Sequence, residues 1–307
     1  MPGLGTPARF AFVLVVLAAF AATAQAVVDP TGGGAPTVKP PWIFPVVGNV
    51  SYIDDFGAPR PGGPHQGIDV MAPKRSRAVA VEAGTVRLWT SSASAGCMLY
   101  LYGRSGTTYE YIHLNNDLTL GNDNRGRCVD GVAYANGIHT GTVVGAGRLL
   151  GYVGDSGDAN GIHPHLHFEV HPKGGAAVDP YSRLRAGRHL LFATGPNIDS
   201  VSLVLSGRLR RIGNDATGPV LALTVKRVHL STGWRALLTR PVTVAVPPGT
   251  VVERKRASGT IVTTTLASGK PGEWVGVRTP FVAPGLAAQL AEPCELEAER
   301  VRYDDTR

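Results

Sequence analysis

Beyond its first thirty residues the chain has no run apolar enough to cross a bilayer, which takes about 20 consecutive apolar residues. That excludes a later helical membrane span. Helix-favouring runs are few, and no internal repeat is present. There is no H-E-x-x-H helix, no phosphate-binding glycine loop and no basic patch interleaved with aromatics. These absences remove a helix-borne zinc site and a nucleotide loop, and they argue against a nucleic-acid partner. Cysteine is scarce, with only Cys97, Cys128 and Cys294 in 307 residues. None lies near residue 26, so nothing marks a lipid anchor there.

Glycine (39) and proline (23) are abundant, and 43% of the residues are apolar against 17% charged. That combination describes a folded chain rich in strands and turns. The start reads as an export signal. Arg9 is followed by an apolar stretch at 10–22, and Ala24-Gln25-Ala26 is a small-x-small cleavage site. Cleavage after Ala26 is expected, with an uncleaved anchor as the alternative. Export implies an oxidising compartment, so Cys97 and Cys128 are candidates to pair, leaving Cys294 over. The net charge of +7, or +6 without Arg9, would draw an exported protein toward an anionic surface such as a bacterial wall.

Residues 27–41 read as a flexible leader and residues 42–188 as the first folded domain. Residues 98–103 and 107–114 alternate well and read as a hairpin. The polar segment 115–141 is long for a loop in a compact domain, and such loops are usually functional or poorly ordered. From residue 198 the alternation resumes in several short runs, which suggests a smaller C-terminal β domain, a sandwich or a barrel. It carries fifteen basic and ten acidic residues from Leu190 onward. A wall-targeting module, a packing domain and a dimer surface all fit, and the oligomeric state stays open. Residues 292–307, with six acidic and three basic residues, read as a frayed or helical tail.

The chemistry concentrates in residues 161–170, G-I-H-P-H-L-H-F-E-V. In a strand, side chains at i and i+2 share a face. His165, His167 and Glu169 then share one face, with Leu166, Phe168 and Val170 on the other. Taken alone, the His-x-His pair fits a metal site, an acid–base site or ordinary strand histidines. Upstream, His65-Gln66-Gly67-Ile68-Asp69 adds an imidazole and a carboxylate. Catalytic zinc typically takes three such N or O ligands and keeps one position for water. Between the two motifs, Tyr109, Tyr111 and His113 would share a strand face, with Ile112 and Leu114 toward the core. Gly154-Asp155-Ser156-Gly157 resembles a serine-nucleophile segment, but it lacks the framework and reads as a turn. Ser156 is at most a groove-lining residue.

The ordered set H-x-x-x-D, Y-x-H-L, then G-x-V-G-x-x-G leading to P-H-L-H-F-E-V resembles the lysostaphin-like (M23, LytM-type) zinc peptidases. The segments F-P-V, F-G-A-P-R, G-I-D-V-M-A-P and V-A-V-E-A-G-T-V also fit. The resemblance covers about residues 42–181 and leaves the C-terminal third uncovered. It implies an antiparallel β-sheet core with a groove and a zinc ion held by His65, Asp69 and His167. It makes His113 and His165 catalytic histidines that are not ligands, one helping to deprotonate the attacking water and one assisting the substrate carbonyl. It further implies a secreted, wall-associated endopeptidase acting on peptidoglycan peptides, with no stable membrane span after signal cleavage. The alternative is a non-catalytic relative that binds wall or activates another hydrolase; such relatives lose ligands that are all present here. Glu169 either orients an imidazole or is an ordinary exposed carboxylate. His163 is expected in a loop, with substrate contact as the alternative, and His139 and His171 are expected to face solvent. Segment 115–141 is a candidate wall of the groove.

Overall fold

The computed structural model describes residues 42–291 and 296–307. The expected signal peptide (1–26), the leader (27–41) and Cys294 lie outside the described residues. The first half runs through β1 (Val46–Val47), β2 (Pro59–Arg60), β3 (Gly63–Pro64), β4 (Gly67–Met71), β5 (Arg77–Val79) and β6 (Gly84–Ser92). It continues with β7 (Gly96–Gly103), β8 (Thr107–Leu114), β9 (Val143–Val144), β10 (Leu149–Tyr152) and β11 (His165–Pro172). One six-stranded antiparallel sheet has the order β4-β11-β8-β7-β6-β9, and a three-stranded sheet has the order β1-β5-β10. The expected hairpin is β7–β8.

The strands follow from alternation. Leu166, Phe168 and Val170 of β11, Tyr109 and Tyr111 of β8, and Leu99 and Leu101 of β7 are all buried on one face of the large sheet. They join Val46, Ala78, Val79 and Leu150 of the smaller sheet in one core. Each such large apolar side chain contributes about 1.5–3 kcal/mol when fully buried. The opposite face of the large sheet is left for polar groups. Register sets what meets there: His167 pairs with Asp69 on β4 and with Ile112 on β8.

Segment 115–141 contains no strand, yet it is anchored at several points. Cys97 and Cys128 are joined by a disulfide. Lys74 bridges buried Asp117 and Asp155, and Tyr134 donates to the Met98 carbonyl at 3.0 Å. Asp117 and Asn115 are completely buried, as a packed segment requires.

After α1 (Tyr181–Ala186) come β12 (Leu203–Asp215), β13 (Gly218–Leu230), β14 (Arg235–Ala245), β15 (Val251–Lys255), β16 (Ile261–Thr263), β17 (Trp274–Arg278), α2 (Leu286–Leu290) and β18 (Arg300–Asp304). These strands form one seven-stranded sheet, order β14-β13-β12-β17-β18-β15-β16. Where a sandwich or a barrel was expected, the described strands pair in one sheet with β14 and β16 at its ends. Its inner side, with Leu205, Leu223, Val244, Val277 and Tyr303, makes a second core. The expected charged tail needs correction. Residues 300–304 are a strand paired on both sides, because Val301 and Tyr303 alternate with Arg300, Arg302 and Asp304 and bury completely. Among the described residues no helix is long and apolar enough to cross a membrane.

Candidate metal centre

Three elements deliver the site. β4 carries Asp69, β11 carries His165 and His167, and β8 carries His113 near its end. His65 comes from the turn just before β4, tied down by its backbone: His65 N–H donates to Ala58 O at 2.9 Å. The hairpin β2–β3 precedes it and folds Arg60 back over the site.

His65 Nε2, Asp69 Oδ1 and His167 Nδ1 form a triangle with edges of 3.2, 2.8 and 2.9 Å. All three residues are buried. Ligand atoms of a tetrahedral zinc site, each about 2.0–2.1 Å from the ion, stand about 3.3 Å apart. The nitrogen–oxygen–nitrogen set and its spacing therefore fit zinc. A second group, Glu110, Glu169 and His171, lies farther along the same sheet face.

Partners outside the triangle set the orientation of each group. His65 Nδ1 lies 2.9 Å from the Asp55 carbonyl. Arg60 donates to Asp69 Oδ2 at 2.7 Å. His167 Nε2 lies 2.8 Å from Glu169 Oε1, which leaves Nδ1 facing the triangle. Glu169 Oε2 in turn lies 2.7 Å from His171 Nε2. Burial raises the Asp69 carboxyl, but the hydrogen bonds from His167 and Arg60 outweigh it and hold the group well below the usual carboxylate range. Burial opposes charge on His167, yet its bonds to Asp69 and Glu169 dominate and lift it to about 9. For Nδ1 of His167 to ligate a cation, that ring would have to give up its proton.

His113 and His165 flank the triangle, with ring centroids 5.0 Å apart. Each is oriented through Nδ1 by a backbone carbonyl: Ser156 O for His113 and His163 O for His165, both at 2.9 Å. In each ring this leaves Nε2 for chemistry, 3.7 Å from Asp69 Oδ1 in His165 and 3.6 Å from Asp158 Oδ1 in His113. Burial, then the neighbouring His165, pushes His113 down to about 4, so it is neutral near neutral pH. The five histidine and aspartate side chains open onto one cleft of about 610 Å³, rimmed also by Gln66, Ser94, Asp158 and Ile162.

The structure gathers His65, Asp69, His113, His165 and His167, the five residues that the resemblance implies, around one cleft, but several details differ. Ile112 does not face the core; it lines the cleft beside His113. Strict alternation fails because β8 carries an extra residue against β7 between Tyr111 and Leu114, and His113 has a left-handed φ of 61°. Such a bulge re-aims a side chain, here turning His113 onto the polar face while Leu114 returns to the core. His171 does not face solvent either, being held by Glu169 and, at 3.4 Å, by Glu110. Ser156 does not line the cleft. Its buried Oγ accepts from the Cys97 N–H and donates to the Leu114 carbonyl. Glu169 does contact an imidazole, and His139 and His163 are exposed. Arg60 is the contributor that sequence reasoning missed, although it closes the F-G-A-P-R segment already noted.

No family model matches the chain. Among curated proteins it is 27% identical over 154 residues to the L-Ala–D-Glu endopeptidase of Bacillus subtilis (strain 168), covering 47% of this chain and 42% of that relative. The chain thus spans less than half the length of the curated relative it matches. Solved structures include a LytM candidate glycyl-glycine endopeptidase from Ruminococcus gnavus, 26% identical with a TM-score of 0.39, covering 50% of this chain and 64% of that one. The catalytic domain of lysostaphin from Staphylococcus simulans is 22% identical with a TM-score of 0.34, covering 45% and 92%. Residues 42–181 resemble the lysostaphin-like peptidases in their motifs, and the solved structures similar to the chain include lysostaphin itself.

Proposed function

We propose that the chain is an exported, zinc-dependent endopeptidase that hydrolyses amide bonds in the peptides of peptidoglycan. The observation that carries this reading is the convergence of His65 Nε2, Asp69 Oδ1 and His167 Nδ1 on the floor of an open cleft, with two further imidazoles beside them. A zinc ion bound by these three residues supplies a Lewis acid and a water that ionises near neutral pH.

The protein's own groups do the rest. Asp69 is kept ionised by Arg60 and His167, so its carboxylate is ready to ligate. Glu169 fixes which nitrogen of His167 faces the ion. His113 and His165 are the acid–base pair. With Nδ1 of each engaged by a carbonyl, Nε2 is free to accept a proton from the attacking water in one ring. In the other, Nε2 carries a proton only in the imidazolium form, and in that form it donates to the carbonyl oxygen of the scissile amide. The exposed cleft admits an extended peptide, and the L-Ala–D-Glu linkage cleaved by the Bacillus relative is the first stem-peptide bond to test.

The test is zinc content together with turbidity loss of purified walls, with and without chelator. Asp69→Ala is expected to lose zinc and activity. His165→Ala is expected to keep zinc and lose at least about 100-fold in rate. Mass spectrometry of released muropeptides identifies the bond. A zinc-free protein inactive on every wall type would overturn the reading.

A further inference from the structure

The outer face of the C-terminal sheet breaks a rule of strand pairing. Arg278 on β17 stands directly opposite Arg300 on β18, and both are exposed. Like charges placed across a strand pair destabilise it. Among the described residues neither has a carboxylate partner. In the row of Trp274, Arg208 stands opposite it on β12. The guanidinium groups of Arg208, Arg227 and Arg307 lie 5.5, 5.7 and 5.3 Å from the centre of the Trp274 ring.

Between these two rows runs a third, Arg227–Ser206–Gly276–Arg302, whose two central members are small. A Cβ at Gly276 would meet nothing nearer than Ser206 Oγ at 3.9 Å and Arg302 O at 4.0 Å. The face is thus a shallow trough over Ser206 and Gly276, with Arg278 and Arg300 on one side, Arg208 and Arg307 on the other, and Arg227 and Arg302 at the ends of its floor. Two carboxylates share the face, Glu253 beside Arg302 and Asp304 opposite Trp274 on β18. Glu253 is engaged by Arg302, and Asp304 lies 3.7 Å from Arg307.

We propose that this trough docks a linear phosphodiester polymer of the cell wall, one without bases, and so holds the peptidase at its substrate. The proposal rests on the wall-peptide reading of the cleft. A repeating phosphate relieves the mutual repulsion of the arginines and suits their planar, forked donors. A second copy of this chain is a poor occupant, because a two-fold contact would set the same arginines against each other. Nucleic acid is also disfavoured. Its single strands need open aromatic faces for their bases, and the Trp274 ring is already flanked by three guanidiniums.

The experiment uses the full chain and poly(glycerol phosphate), with binding followed by calorimetry at low ionic strength and again at about 0.15 M salt. The parent is expected to bind, and more weakly in salt. Gly276→Glu puts a carboxylate in the trough where a Cβ already fits, and is expected to weaken binding at least about tenfold. Arg300→Glu is expected to weaken binding similarly while raising the melting temperature, because it turns a like-charged pair into an opposite one. A merely structural role for Arg300 predicts a lower melting temperature instead. No binding by the parent, unaltered binding by both variants, or tighter binding of a length-matched single-stranded DNA would overturn the proposal. Catalysis enters none of these measurements, so an inactive chain can still bind and an active one can still fail to.

Discussion

Glu169 holds two imidazoles with one carboxylate. One oxygen faces His167 and the other faces His171, whose Nδ1 lies 2.8 Å from the Gly175 carbonyl. Burial raises Glu169, but the two histidines outweigh it and keep it ionised. Partners of this kind fix the tautomer of a ligating histidine, and their loss typically costs 10–100-fold in metal affinity. Glu169→Gln is therefore expected to weaken zinc binding by roughly that factor, read by competition with a chromophoric chelator, with the fold unchanged by circular dichroism. Arg60→Gln is expected to act through Asp69 in the same direction and less strongly, because His167 still contacts that carboxylate. Alternation made legible only that His165 and His167 share a face; that His65, Asp69 and His167 form the triangle was what the resemblance of the ordered motifs implied. His171 was not legible as a bound group. Its partner Glu110 comes from another strand, and only the β8–β11 register brings the two together.

At the scale of elements, the least legible feature is the bulge in β8. The string Y-E-Y-I-H-L reads as unbroken alternation, and nothing in it announces the left-handed backbone at His113. The cause is tertiary: Leu114 pairs with Cys97 while Tyr111 pairs with Leu99. β18 was hidden for a similar reason, since its charged residues read as a tail until neighbours on both sides are known. Segment 115–141 was legible as an insertion with a candidate disulfide, but its anchor on Lys74 was not. Lys74 compensates two buried carboxylates at once. Lys74→Met leaves Asp117 and Asp155 uncompensated, and breaking a buried pair in this way costs about 3–5 kcal/mol. The expected outcome is a matching loss in urea unfolding. Reducing the Cys97–Cys128 bridge is expected to be milder, about 2–4 kcal/mol, and to show first as faster hydrogen exchange in 115–141.

On the scale of the whole molecule, the two cores meet along a seam that contains a titratable group. Leu190 belongs to the first core and Leu191 and Phe192 to the second. Trp234 packs against both cores, and the Arg77 guanidinium lies 4.5 Å over its ring while donating to the Ala193 carbonyl. His189 stacks on Phe44 at 4.0 Å, and burial, then the charge of Arg240 on β14, pushes it down to about 3. Because the folded value lies below the ordinary 6.5, the unfolded chain binds more protons between about 6.5 and about 3. Stability from this group is complete above 6.5 and drains away as pH falls through that window. Allowing for partial exposure, the loss across the window is on the order of 2–4 kcal/mol. Carboxylates add their own acid sensitivity, so the informative quantity is a difference between proteins. His189→Phe keeps an aromatic ring on Phe44 and removes the proton site. Its melting temperature is expected to fall less steeply than the parent's between about pH 6.5 and about pH 4. Equal slopes for the two proteins would show that the seam does not sense acid through His189.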